Sequence, residues 1–300
     1  MVERAVSRRE NLPKSPIVAK ARFRSSLRRI ARDGVGLAGA TFVLLVIALV
    51  FLSPFLGLPD PLAQDLTINL RPPGTSGHPL GTDQYGRDLL SRVLWGGRFS
   101  IAMGAIASLM AIGVGVPLGM VSGYLGGRLD SIVMRTTDLL LAFPYILLAL
   151  VIVAARGPGL FNALVAVAIT NVPFFVRVMR GIVLTIRHQP FIEASIALGA
   201  TTPRILRRAI LPSLLPYITV AFTTNVGWLI LETSGLSFLG LGAQPPLPEW
   251  GSMLAEGRTY IGIAPHVVII PGFAIFLLVF NLNLAGDLLR DLLDVELKEN

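Results

Sequence analysis

Residues 100–124, SIAMGAIASLMAIGVGVPLGMVSGY, contain no Asp, Glu, Lys, Arg or His. A helix rises about 1.5 Å per residue, so a stretch of this length covers the roughly 30 Å hydrocarbon core of a bilayer. Within it Gly115, Gly119 and Gly123 recur at four-residue steps, with Gly104 and Ala111 earlier. Such spacing exposes a smooth backbone stripe against which another helix packs closely, either from the same chain or from a second subunit. The stretch reads as a membrane span with a packing face.

Working outward, apolar runs without an internal charge recur at 34–58, 139–155, 159–178, 211–231 and 264–286. The fold class is therefore all-α integral membrane, with about six transmembrane helices. Composition agrees: apolar residues are 53% of the 300, charged residues only 15%, and the mean hydropathy is +0.69, more apolar surface than a water-soluble domain of this size carries. The net charge of +8 sits mainly beside the apolar runs, which fits a membrane surface better than nucleic acid. The chain has no Cys, so disulfides, thiolate metal ligands and Cys nucleophiles are excluded.

Charge also sets direction. With the N-terminus inside, residues 1–33, 125–138, 177–210 and the tail from 287 hold twenty of the twenty-six Lys and Arg. This positive-inside bias predicts both termini in the cytoplasm. The N-terminal apolar run exceeds the length of a signal-peptide core and lacks a small-residue cleavage site, so it reads as an uncleaved span. The chain then divides into a basic cytoplasmic segment 1–33, a first span and external loop in 34–99, a core of spans in 100–286 containing the cytoplasmic loop 179–210, and a cytoplasmic tail 287–300. Arg22, Arg24, Arg28, Arg29 and Arg32 in the first segment suit an anchor to anionic lipid. In the external loop, residues 84–96 predict an interfacial helix capped by Thr82 or Asp83. Leu89, Leu90, Val93, Leu94 and Trp95 would form its apolar side, with Arg87, Asp88 and Arg92 outside.

Several chemistries lack their residues. Asp138, Arg177, Glu232 and Asp287 fall near span ends, within reach of headgroups, so no charged relay crosses the interior as gradient-driven carriers usually require. Asn171, Asn225, Asn281 and Asn283 remain as side chains that could hold an ion. His78, His188 and His266 are scattered and have no partner at metal-ligand spacing, so no metal site and no catalytic group is assigned. There is no Gly-x-x-x-x-Gly-Lys-Ser/Thr loop, so a pump of this kind must take its energy from another chain. Pro117, Pro144, Pro173 and Pro271 lie within spans and predict kinks.

The cytoplasmic loop is the informative one. Phe191-Ile192-Glu193-Ala194-Ser195-Ile196-Ala197-Leu198 predicts a short helix with Glu193 in its favourable first turn, ended by Gly199 and Ala200. Thr202 and Pro203 then suit the cap and first turn of a second helix, which carries Arg204, Arg207 and Arg208 into the next span. Phe191, Ile192, Ile196 and Leu198 give the short helix more apolar surface than eight residues keep in water. It must dock, either on the inner leaflet or in a protein groove.

Glu193-Ala194-Ser195, Gly199 six positions after the Glu, and Ile210-Leu211-Pro212 eleven beyond that Gly resemble the EAA loop of ABC importer permeases, with Ser195 where a second Ala is usual. His78-Pro-Leu-Gly81-Thr82-Asp83-Gln-Tyr-Gly86-Arg87-Asp88 resembles a signature of the dipeptide/oligopeptide and nickel permease group. So do Ser237-Phe-Leu-Gly-Leu-Gly-Ala-Gln244-Pro245-Pro246 and Pro248-Glu-Trp250-Gly251-Ser-Met-Leu254. Within that group the chain resembles the second, C-type subunit. The resemblance implies a type I ABC importer permease fold in a bacterial or archaeal cytoplasmic membrane. It also implies a second, B-type permease, two ATPase subunits or domains that hold ATP and Mg, and an extracytoplasmic binding protein. No cofactor would be bound by this chain. Glu193 would be the polar anchor of the loop on the ATPase, Ala194 would permit close approach, and Gly199 would form the bend. The segment near 84–96 and the loop 244–254 would lie near the binding protein. The implied cargo is a dipeptide or oligopeptide, with nickel or another small solute as the alternative.

Overall fold

The computed structural model describes residues 34–298, with side chains through residue 293; the basic segment expected to anchor on lipid lies outside the described residues. Helix α1, Gly34–Leu52, runs into a 3-10 turn at Ser53–Phe55, where Pro54 removes a backbone donor and the Ser53 hydroxyl donates to the Val50 carbonyl at 2.7 Å. A long segment, 56–88, follows, and then α2, Leu89–Leu125, begins. The expected interfacial helix 84–96 is not a separate element. Asp88 caps α2 by accepting the Ser91 N–H at 2.7 Å, so residues from Leu89 onward are the outer end of the second span and 84–88 are turn. The core of spans thus starts eleven residues before the expected 100.

The expected span 139–155 is also different. Helix α3, Gly127–Leu141, and helix α4, Tyr145–Arg156, meet at 89°. The break follows from Pro144, which lacks an N–H and turns Phe143 away from helical geometry. Twelve residues of α4 rise about 18 Å, too little to cross hydrocarbon alone. Five helices are long and apolar enough to cross a membrane, and α3 with α4 makes a sixth crossing when counted as one broken span.

Helix α5, Leu160–Ile186, extends eight residues past the expected end at 178. The short α6, Pro190–Ala197, leads to α7, which is continuous over Thr202–Phe238 with a π turn at Leu206–Ile210. The connecting loop is therefore 187–201 rather than 179–210, because α5 continues through the paired Arg180 and the next helix already begins at Thr202. Arg180 makes a bidentate pair with Asp130 of α3 at 2.5 and 2.6 Å. Helix α8, Trp250–Gly257, lies in the second long connecting segment, 239–265, and α9, His266–Lys298, closes the described chain. It runs without a break through the boundary at 287 where a tail was expected. Among the described residues there are no strands, only isolated bridges at Thr75–His78 and Thr82–Asp88.

The glycine stripe of α2 lies against α5 of the same chain. A Cβ on Gly115 would stand 2.6 Å from the Phe175 Cβ, one on Gly119 2.6 Å from the Val176 carbonyl oxygen, and one on Gly123 3.0 Å from the Arg180 carbonyl oxygen. Gly104, about three turns earlier in α2, meets Ile230 of α7 in the same way. Replacing Gly119 by Leu should thus force two backbones apart and cost more than about 3 kcal/mol. Gly113→Leu, on an open face of the same helix, should be nearly neutral. Monodisperse yield in detergent compares the two. Around the packed interior, Leu44, Leu45, Val151 and Phe161 belong to an exposed apolar belt, which suits a hydrocarbon solvent.

The two ends of the bundle sort as the alternating spans require. At one end the Gly159 N–H donates to the Leu241 carbonyl at 3.0 Å and a His266 ring nitrogen bonds the Thr82 carbonyl oxygen at 3.2 Å, which gathers 56–88, 157–159 and 239–265. At the other, Arg187 donates to the Gly123 carbonyl at 3.1 Å, joining the α2–α3 corner to the segment before α6.

Candidate functional site

The short helix α6 has an unequal distribution of its apolar side chains. Ile192 is 0% exposed and joins Val183, Ile186, Ile205 and Ile210 in a core where the end of α5 meets the start of α7. Phe191, Ile196 and Leu198 remain exposed, Leu198 at 88%. The apolar surface expected to dock therefore divides into one buried root, Ile192, and one outward face. Pro190 sits in the first turn, where a missing N–H costs nothing, and Glu193 follows in that turn. The Ser195 hydroxyl donates to the Phe191 carbonyl at 2.7 Å and adds no outward group.

The helix ends at Ala197 rather than Leu198, and Gly199 turns left-handed at φ +77°, a conformation that other residues enter at a cost. Its N–H donates to the Ile196 carbonyl at 2.9 Å, and the Ala200 N–H to the Ser195 carbonyl at 3.0 Å, which closes the helix C-terminus. Thr201, not Thr202, occupies the cap position of α7, through its backbone alone, with Pro203 in the first turn. Ser195, Leu198, Ala200, Arg204, Ile205 and Arg208 line a hollow of about 310 Å³ between α6 and α7. The second helix of the loop is the first part of the span itself, so the segment after α6 enters a helix of 37 continuous residues.

The motif at 78–88 and helix α8 converge into a clamp. Gly81 and Gly86 have positive φ, and a Cβ on Gly86 would collide with the Asp65 backbone. Asp83 accepts the backbone N–H of Tyr85 and Arg87 at 2.8 and 3.0 Å and the Arg87 Nε–H at 2.5 Å. Glu256 of α8 takes the other side of Arg87 at 2.5 Å, and Arg92 reaches both carboxylates at 3.3 Å and the Pro61 carbonyl at 3.2 Å. Arg87, Asp88 and Arg92 were expected to face outward, but all three are buried, because each has carboxylate or backbone partners that replace water. Thr82, named as a possible cap, instead accepts the Arg71 N–H at 2.9 Å, while Asp88 also pairs with His78 at 2.9 Å.

In the second motif, the Trp250 indole donates to the Val93 carbonyl at 2.8 Å and Gly251 packs directly on the Ser234 backbone. Gln244, Pro245 and Pro246 are exposed, with a cis bond between the two prolines. The two motifs thus combine buried framework with exposed parts at Pro79, Tyr85, Phe238, Leu239, Gly240 and 244–246. Glu249 was not singled out in the sequence, yet it is fully buried, accepting the Ser100 and Ser234 hydroxyls at 2.9 and 3.3 Å and the Ser252 N–H at 2.9 Å.

Glu232 was read as a span-end residue that reaches headgroups. It is instead buried between α5 and α7, where Asn171 Nδ2 donates to one oxygen at 2.8 Å and the Trp228 indole to the other at 2.5 Å. The apparent end at 231 is where the apolar run stops, while the helix continues to Phe238. The four Asn proposed as ion ligands do not converge: Asn225 accepts from Ser108 at 3.4 Å, and Asn281 and Asn283 bond carbonyls of their own helix. Among the described residues, no three of His, Asp and Glu gather as a metal site.

A bundle of long apolar helices with a rooted apolar prong at one end and a framed loop pair at the other has the build of a multi-pass membrane protein. The chain belongs to the binding-protein-dependent transport system inner membrane component family, whose model matches residues 115–299. It is 45% identical to the glutathione transport system permease protein GsiD of Pectobacterium atrosepticum, over 92% of both chains. It is also 40% identical to the dipeptide transport system permease protein DppC of Alkalihalophilus pseudofirmus, over 95% of this chain and 94% of that one. A chain of the MetNI methionine ABC transporter in an inward-facing conformation superposes with a TM-score of 0.56 at 24% identity, over 68% of this chain and 97% of the other, and so shares the fold. The chain is accordingly the non-catalytic permease subunit of an ABC importer of the peptide family, a class that works with another permease, ATPases and a substrate-binding protein.

Proposed function

We propose that this chain forms half of the pathway of an importer for dipeptides and other short peptides, in a bacterial or archaeal cytoplasmic membrane with both termini inside. Its pathway partner is a B-type permease, two ATPase subunits or domains hold the ATP and Mg, and a binding protein delivers the cargo from outside. The relatives that transport glutathione, itself a tripeptide, and dipeptides support the substrate class.

The observation that carries the coupling mechanism is the split face of α6: Ile192 roots it in the α5–α7 core while Phe191, Ile196 and Leu198 stand free. Those free side chains fill an apolar groove on the ATPase, Glu193 anchors the rim, Ala194 allows close approach, and Arg204 lies beside the hollow behind the helix. Closure of the ATPase dimer then displaces α6, and α7 carries that displacement toward the external end. Packed helices shift between discrete arrangements, so a small movement at the root becomes a change of access. Tyr85 and residues 244–246 supply the accessible outer surface for the binding protein.

Reconstitution with the partner permease, the ATPase and the loaded binding protein tests this. Vesicles should accumulate labelled dipeptide only when ATP is supplied on the ATPase side. Accumulation without ATP, or accumulation of nickel with no peptide transport, would overturn it.

A further inference from the structure

We propose that Glu232, with Asn171, Trp228 and Tyr145, forms a subsite for a primary ammonium group, the free amino terminus of a peptide in transit. The inference rests on the peptide-importer function proposed above. Glu232 is 7% exposed, and both its hydrogen-bond donors, the Asn171 amide and the Trp228 indole, are neutral. It makes no ion pair among the described residues, in contrast to Asp83, Asp88, Asp130 and Asp138. Each carboxylate oxygen accepts two hydrogen bonds, so half of its capacity is unused. An ionisable side chain inside a membrane bundle faces the bundle interior or a water-filled path and usually has a cationic or polar counterpart.

The site has a mouth. Trp228 is 46% exposed and Tyr145 42%, and their rings meet edge to face with centroids 5.4 Å apart. Tyr145 is the first residue of α4, immediately after the α3–α4 break, so the bend brings an aromatic ring from the broken span to the carboxylate-bearing face of α7. Hydrocarbon offers nothing to a carboxylate held by an indole N–H and an amide, so in the proposed arrangement the exposed Trp228 and Tyr145 rings stand beside the pathway rather than against lipid tails.

The chemistry selects the ligand. One carboxylate and one amide are too few oxygens for a divalent cation, which takes six or more. The carboxyl end of a peptide is repelled. An ammonium group donates a charge-assisted hydrogen bond to Glu232 and gains favourable contact with the aromatic rings. Every unmodified peptide carries that group whatever its side chains, so the subsite suits a permease whose selectivity is set elsewhere.

The test uses the complete permease–ATPase complex in nanodiscs, without binding protein or nucleotide, and equilibrium binding of labelled Ala-Ala and N-acetyl-Ala-Ala. The wild-type complex should bind the free-amino peptide about tenfold more tightly. Glu232→Gln, which keeps its shape and both neighbours once Asn171 turns its amide, should bind the two peptides alike. Tyr145→Leu, at the exposed rim, should weaken only the free-amino peptide, about threefold, and serves if the Gln variant fails to assemble. Equal binding of both peptides by the wild type, or an unchanged preference in an assembled Glu232→Gln complex, would overturn the subsite. If ATP-dependent dipeptide uptake persists alongside that negative result, only the subsite falls. If uptake itself is missing, the importer reading falls with it.

Discussion

Gly199→Pro should reduce peptide uptake by more than tenfold and abolish the extra ATPase activity that loaded binding protein elicits, while the complex still inserts. Proline holds φ near −65°, whereas Gly199 sits at +77°, and proline also removes the N–H that bonds the Ile196 carbonyl. The chain after Ala197 would have to leave by another route, so α6 would no longer point where α7 can receive its displacement. Insertion is spared because nothing lies within 4 Å of the position where a Gly199 side chain would start. Gly199→Ala, which meets the left-handed penalty of about 1–2 kcal/mol but keeps the N–H, should retain part of the activity. Glu193→Lys should act like the proline variant through the docking face. Parallel uptake and ATPase assays in proteoliposomes separate these cases, and normal coupling in Gly199→Pro would remove α6 from the drive train.

Glu256→Ala should destabilise the folded complex by about 3 kcal/mol, the effect of leaving a buried charge without its partner. Arg87 and Arg92 are each 1% exposed and share Asp83 and Glu256, so removing Glu256 leaves two guanidinium groups facing one carboxylate. The loss should appear as a lower thermal unfolding midpoint in detergent. Asp138→Ala provides the contrast. Its pair with Arg177 has side chains 60% and 56% exposed, and surface pairs contribute less than about 1 kcal/mol, so its midpoint should barely move. Equal midpoints for the two variants would contradict the clamp.

What was legible in the chain follows from what each signal measures. Uninterrupted apolar length located the spans because hydrocarbon imposes a minimum length. It failed at 139–155, where Pro144 bends a run whose hydropathy is otherwise continuous. It also misplaced the ends at 178 and 231, because Arg180 and Glu232 interrupt the apolar run without interrupting the helix, each satisfied by a partner in another element. Arg87 and Arg92 read as outward-facing because their partner Glu256 is 169 and 164 residues away and nothing local announces it. The turn at Gly199 was visible because one residue type answers one backbone need. The burial of Ile192 apart from Ile196 was not, since it depends on how α6 meets α5 and α7.

The absence of native Cys makes the most direct test clean. A Leu198→Cys variant places a single thiol of this chain at the most exposed part of α6. In sealed inside-out vesicles carrying the whole complex, it should react with an impermeant maleimide only where the ATPase is absent or detached, and should crosslink to the ATPase subunit when the complex is intact. Labelling of that thiol from the extracytoplasmic side, or full reactivity with no crosslink in an assembled complex, would contradict the account.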